Sequence, residues 1–210
     1  TPNIDRLAKE GVTFTNAYAA AANCAPSRAS LMTGLYTPRH GVFTVGNSDR
    51  GKAAHRRLIP ATNKTVLTRT LPTMAQVLKK AGYRTAVAGK WHLSDDPIPY
   101  GFDTNFGGLK WGAPKSYFSP YRNPKLKDGP KGEHLPARLA TDLCHWIRNA
   151  EEKSERFFVY FPFYSVHTPI QARADLTARY NGKSGTHHSN AKYAAMIEAM
   201  DLAVGQILDL

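Results

Sequence analysis

The stretch PTMAQVLKKAGYRTAVAGKWHL, residues 72–93, carries two periodicities in succession. Pro72 suits a helix opening, Val77, Leu78 and Ala81 recur at helical spacing, and Gly82 supplies the closing residue. Tyr83 to Ala88 then reads as a short strand of small and β-branched residues. The same order appears on either side. Upstream, Ile4, Leu7 and Ala8 predict a helix closed by Gly11, with a strand over Val12 to Phe14. Downstream, a helix from Leu135 to Ala150 passes through the charged turn Glu151 to Arg156 into Phe157 to Phe161, which reads as a fully buried strand. A last helix places Tyr193, Met196, Ile197, Met200, Val204, Ile207 and Leu208 on one broad apolar face. Helices alternating with strands predict an α/β fold, a largely parallel sheet sandwiched between helices, with chemistry at the carboxyl ends of the strands. Two long irregular stretches, Leu35 to Thr70 and Asp95 to His134, read as functional rims or flexible excursions.

The chain has 210 residues, 42% of them apolar, enough for one core and one domain. No apolar run approaches the roughly 20 residues that span a bilayer, and the N-terminus lacks a signal-peptide layout. Thr1 and Pro2 look like the start of a helix, and the chain stops inside another at Leu210; both ends of a longer protein are expected to be missing. Lys plus Arg number 28 against 16 Asp plus Glu, a formal charge of +12, which favours anionic partners such as nucleic acid or a sulfated or phosphorylated substrate. The bland alternative is a solvated surface. Apart from a modest cluster at Arg50, Lys52, Arg56 and Arg57 the basic residues are scattered, and no nucleic-acid module is visible. Two cysteines far apart make no disulfide framework. Cys144, among Leu139, Leu143, Trp146 and Ile147, reads as a buried small hydrophobe, leaving Cys24 to be explained.

Cys24 opens Cys24-Ala25-Pro26-Ser27-Arg28-Ala29-Ser30-Leu31-Met32-Thr33-Gly34. Pro26 fits a first helical position and Gly34 a helix end, which puts Cys24 at a helix N-terminus where free N–H groups favour anions. Arg28, one turn on, can offer a fork of donors to an oxyanion. A surface thiol beside a capped helix is the plainer alternative. Cys-x-Pro-Ser-Arg, then four residues and Thr-Gly, is similar to the signature of the type I sulfatases, members of the alkaline phosphatase-like superfamily, at every fixed position. That resemblance implies that a maturing enzyme oxidises Cys24 to formylglycine, whose hydrate is a geminal diol. One hydroxyl would attack sulfur and release the alcohol; the second would lose its proton and expel sulfate, restoring the aldehyde.

Such chemistry needs cations and proton carriers. Ala88-Gly89-Lys90-Trp91-His92-Leu93 follows the strand and resembles the family's Gly-Lys-Trp-His segment. By that match Lys90 binds the sulfate and supports the formylglycine, while His92 sits near the diol and assists sulfate elimination. Alternation on an extended segment would aim both to one side. His167, in Ser165-Val166-His167-Thr168-Pro169, follows the next strand; the resemblance implies that it contacts the sulfate and protonates the leaving alcohol. On their own, a Lys-Trp-His and a turn histidine are unremarkable. Asp95-Asp96 reads as a solvated turn, His187-His188 as exposed, and His40 as structural or at the rim; Arg50, Lys52, Arg56, Arg57, Trp111 and Tyr117 are candidate rim contacts.

The resemblance further implies one divalent ion, usually calcium, held by formylglycine and by acidic motifs expected before Thr1 and after Leu210. The chain thus reads as a partial sulfatase catalytic domain over residues 1–210, and the isolated fragment is expected to be inactive and to hold its metal poorly. The implied activity is hydrolysis of sulfate esters of a sulfated small molecule or polysaccharide, in an exported (secreted, periplasmic or lysosomal) protein that meets its maturing enzyme transiently. Two competitors remain: a phosphonate or phosphodiester hydrolase sharing the Cys-x-Pro-Ser-Arg site, and a non-catalytic module binding polyanions.

Overall fold

The structure, a computed structural model, describes residues 1–183 and 189–210. Three strands form a parallel sheet: β1 (Arg84–Ala88) lies between β2 (Thr104–Phe106) and β3 (Phe157–Tyr160). Ala86 stands opposite Thr104 on one side and Val159 on the other. Alternation along β1 divides the core. Ala86 and Ala88 face Leu139, Leu143, Trp146 and Ile147 of α5 (Leu135–Glu152) and Met196 of α7 (Ala191–Leu208). Val87 faces Ala25, Ala29 and Met32 of α2 (Cys24–Thr33), Ala75 of α4 (Met74–Lys80), and Trp91 and Phe102. The expected helical sandwich around a parallel sheet is therefore present.

Local chemistry sets the boundaries. Helix α4 starts after Thr73, not at Pro72, because Thr73 accepts from the Gln76 N–H while the Gln76 side chain takes the Thr73 N–H, a capping box. Helix α2 likewise starts at Cys24, behind Asn23 as its N-cap, so Pro26 occupies the third helical position rather than the first. Gly34, at φ 68°, closes α2 in the left-handed conformation. Helix α3 (Thr37–His40) follows at once and packs on α2.

Three expectations are corrected. Val12 to Phe14 forms no strand after α1 (Pro2–Glu10); Val12 is 80% and Phe14 77% exposed, with no described strand alongside to complete a ladder. The third strand forms, but it is half-buried, since only β1 pairs with it. In α7 the buried apolar positions are mostly small, Ala195, Ala199, Ala203 and Gly205, with Met196 the one large apolar member and Asp201 buried beside them; α1, α5 and α6 (Ala174–Ala178) all pack on it, and small side chains let backbones come close. Strand β2, three residues inside the second irregular stretch, had too short a pattern to read.

The ends of the chain meet. Buried Asp201 of α7 accepts the N–H of Ile4 at 2.9 Å and both the N–H and the side-chain amide of Asn3, satisfying the N-terminus of α1.

Candidate active site

At the carboxyl end of the sheet an open cleft of about 350 Å³ is lined by Cys24, Ser27, Arg28, Leu31, Tyr160 and Pro162. Cys24, the first residue of α2, is half-buried there. One turn on, Arg28 donates through Nη1 to the Lys90 carbonyl at 2.7 Å and to Tyr160 Oη at 3.1 Å, which fixes the guanidinium. Its Nε is buried without a partner among the described residues.

The turn after β1 is stitched to both neighbouring strands. Gly89 donates to Phe106 at 2.9 Å and Lys90 to the Pro162 carbonyl at 2.8 Å. Gly89 adopts φ 111°, and a Cβ there would stand 2.2 Å from the Pro162 oxygen, so both conformation and space demand glycine. Trp91 turns into the core, fully buried against Tyr100 and Phe102, with Nε1 donating to Ser94 Oγ at 2.8 Å. On either side of it, Lys90 lies near Cys24 and Arg28, and His92 near Lys90, Arg28 and His167.

Lys90 is only 4% exposed. Burial lowers its pKa and the Arg28 charge adds to that, while the adjacent Cys24 sulfur, within hydrogen-bonding reach, opposes them. His92 is pushed down to about 4 by burial and then by the charges of Lys90, Arg28 and His167. It is a neutral imidazole at pH 7, held at φ 62° by its N–H donating to the Leu109 carbonyl at 2.8 Å, and its Nδ1 is buried without a described partner. His167 lies in the exposed turn after β3, its N–H donating to Tyr164 at 3.0 Å. Its Nδ1 lies 3.0 Å from the Thr168 carbonyl. The Thr168 hydroxyl lies 3.3 Å from the same nitrogen, so Thr168 engages Nδ1 and leaves Nε2 for a proton in transit.

The structure thus gathers Cys24, Arg28, Lys90 and His92 around one point, with His167 close enough to act on His92. Tyr160 and Pro162 were not singled out from sequence, and Ser27, though inside the Cys-x-Pro-Ser-Arg motif, was given no role; Tyr160 lay within the strand read over Phe157 to Phe161.

Other candidates fall elsewhere. Asp95 pairs with Lys110 at 2.9 Å and Asp96 with Lys125 at 2.6 Å, a charged turn as expected. His40 is fully buried, not at a rim: its Nδ1 accepts the Val42 N–H at 3.0 Å and its Nε2 meets Ser30 Oγ at 3.0 Å, tying α3 to the motif helix. Burial lowers its pKa. Tyr117 is also fully buried, which overturns the rim assignment, while Trp111 is half-buried under Lys115. Arg50, Lys52 and Arg57 are exposed and Arg56 pairs with Asp49 at 2.7 Å. Cys144 is buried as expected, and His187-His188 lies outside the described residues.

Calcium takes six to eight oxygen ligands. No three His, Cys, Asp or Glu residues converge among the described residues, and cations rather than carboxylates surround Cys24. These residues alone do not make a divalent-ion site.

The Sulfatase family profile matches residues 1–210, and the chain belongs to the Sulfatase family. The family is generally formylglycine-dependent and calcium-binding. A sulfatase of Formosa agariphila is 32% identical over the whole of this chain and 47% of its own length. Human N-acetylgalactosamine-6-sulfatase is 30% identical over the whole chain and 41% of its own. The crystal structure of Ps i-CgsB in complex with k-i-k-neocarrahexaose superposes with a TM-score of 0.79 at 28% identity, covering all of this chain and 49% of that one. The chain spans less than half the length of these relatives.

Proposed function

We propose that the protein hydrolyses sulfate esters of sugars, with Cys24, oxidised to formylglycine, as the nucleophile. The observation that carries this reading is Cys24 at a helix N-terminus beside Arg28 and Lys90, with a neutral His92 next to those two cations and no described carboxylate among them. Formylglycine supplies a carbon bearing two hydroxyls, one to attack sulfur and one to release sulfate.

The chain's side chains do the rest. Lys90 and the α2 N-terminus neutralise the sulfate oxygens in a site where burial strengthens each contact. Arg28, pinned by the Lys90 carbonyl and Tyr160, orients that positive field rather than following the substrate. His167 gives a proton to the departing sugar oxygen. His92, neutral because its pKa is near 4, accepts the proton lost when sulfate leaves. A sugar ester as substrate is supported by the named activity of the human relative and by the oligosaccharide bound to Ps i-CgsB. An exported location, calcium, and a transient encounter with a maturing enzyme belong to the same reading. Among the described residues no helix is long and apolar enough to cross a membrane.

The test is mass spectrometry of the Cys24 peptide from the full-length protein co-expressed with a formylglycine-generating enzyme, beside assays of aryl sulfate and aryl phosphonate. The reading expects an aldehyde, sulfate release, and its loss in Cys24→Ala. An intact thiol with undiminished sulfate release would falsify it; preference for the phosphonate would move it to the neighbouring hydrolase class, and salt-sensitive binding without turnover to a polyanion-binding module.

A further inference from the structure

We infer that the segment 109–117 positions the two active-site histidines: Gly112 leaves the space that His92 occupies, and Tyr117 fixes the turn that carries His167. The inference rests on the proposed function. The second irregular stretch was expected to be a substrate rim, yet its central part is directed inward. Leu109 holds the His92 backbone through its carbonyl at 2.8 Å. A Cβ on Gly112 would lie 2.7 Å from Cε1 and 3.0 Å from Nε2 of the His92 ring. Gly112 is not among the glycines with positive φ, so the backbone does not require it. The ring does.

Tyr117 acts on the other histidine. It is fully buried, and its Oη donates to the His167 carbonyl at 3.0 Å. Its own N–H donates to Gln171 Oε1 at 2.8 Å and its carbonyl accepts from Leu135 at 2.8 Å, so it braces the turn from both ends against the start of α5. The His167 side chain is exposed and, among the described residues, its ring hydrogen-bonds to neighbouring Thr168, so its place depends on backbone anchors. Two hydrogen bonds supply them: the His167 N–H to Tyr164, and the His167 carbonyl from Tyr117. Tyr117→Phe removes the second, together with the contact of the same hydroxyl to the Ser165 side chain in the same turn.

The two positions feed different proton transfers. His167 protonates a sugar alkoxide, a poor leaving group, but nitrophenolate departs without a proton. His92 acts when sulfate leaves, a step common to both esters. In the full-length matured enzyme, Y117F is expected to lower kcat on N-acetylgalactosamine 6-sulfate roughly 10- to 100-fold while 4-nitrophenyl sulfate changes less than about 2-fold. G112A lowers both alike. NMR resonances of the two imidazoles give a second readout: Y117F moves the His167 ring, and G112A moves the His92 ring. Equal losses on both esters in Y117F, or an unmoved His167 resonance, overturn the inference; if G112A fails to fold, Y117F still decides. Should the wild type cleave neither ester, the sulfatase reading fails, and the ring resonances alone then decide whether the segment positions the histidines.

Discussion

At the amino ends of β1 and β3, three cations are matched. Lys79 pairs with Asp103, Arg84 pairs with Glu155 at 3.0 Å while lying over Trp146 at 4.7 Å, and Arg156 donates to the Ala81 carbonyl at 2.8 Å. At the carboxyl ends, burial disfavours the Lys90 ammonium and the nearby Arg28 charge adds to that, with no described ion pair at either residue. Both ends belong to one small sheet, so the difference is not one of fold. The amino end carries two carboxylates against its three cations, whereas the carboxyl end has no described carboxylate beside Arg28 and Lys90 and takes its counter-charge from an anion. Like charges gathered in a poorly solvated place cost stability, and they are useful where a sulfate completes them.

That contrast gives substitutions at the two ends opposite signatures. The largest expected effect is at Lys90. Lys90→Ala should cut kcat/KM for sulfate esters by about 100- to 1000-fold, yet leave the urea midpoint no lower than wild type, because a buried charge beside another is removed. A marked loss of stability would show that Lys90 is paired in the native protein. Next comes Gly89→Ala, at the hinge of the same end. The backbone is left-handed there and the methyl would collide with the Pro162 carbonyl, so destabilisation of about 3 kcal/mol is expected in urea unfolding. At the amino end, Arg84→Ala should leave kcat/KM unchanged and cost about 1 kcal/mol, since a partly exposed pair contributes little and the stacking on Trp146 somewhat more.

The same contrast bears on what could be read from the chain. The alternation of helix and strand was legible because period and punctuation agree, as in Thr73 to Ala88, where the helix, its stop at Gly82 and the strand all lie where the pattern put them, to within two residues. Cys24, Arg28, Lys90, His92 and His167 were singled out because motif segments carry them, and the structure brings them near one another. Tyr160, Gly112 and the role of Tyr117 were hidden for a physical reason: each matters through a contact across 50 or more residues, or through the absence of a side chain, and neither leaves a local signal. Val12 to Phe14 erred the other way. Its alternation suits a strand, but alternation describes one side of a ladder, and a strand needs two.

His134 offers the finest test of the comparison, because it decides how much more positive charge the carboxyl end takes on in acid. It stands just before α5, buried, packed on Phe118 with ring centroids 5.0 Å apart, and burial holds its pKa down to about 4. In the unfolded chain the ordinary value is 6.5. Between those limits the unfolded state binds a proton that the native state refuses, so stability is intact above about pH 6.5 and drains away as pH falls toward 4. One group contributes a slope of at most about 1.4 kcal/mol per pH unit in that window. His134→Gln retains a donor for the Gln171 carbonyl, which lies 3.4 Å from Nε2, and removes the titration. Urea unfolding at pH 7 and pH 4.5 should therefore show a smaller acid-induced loss in the variant. An unchanged loss would mean that acid acts through other groups, with His92, depressed for the same reason, the first to examine.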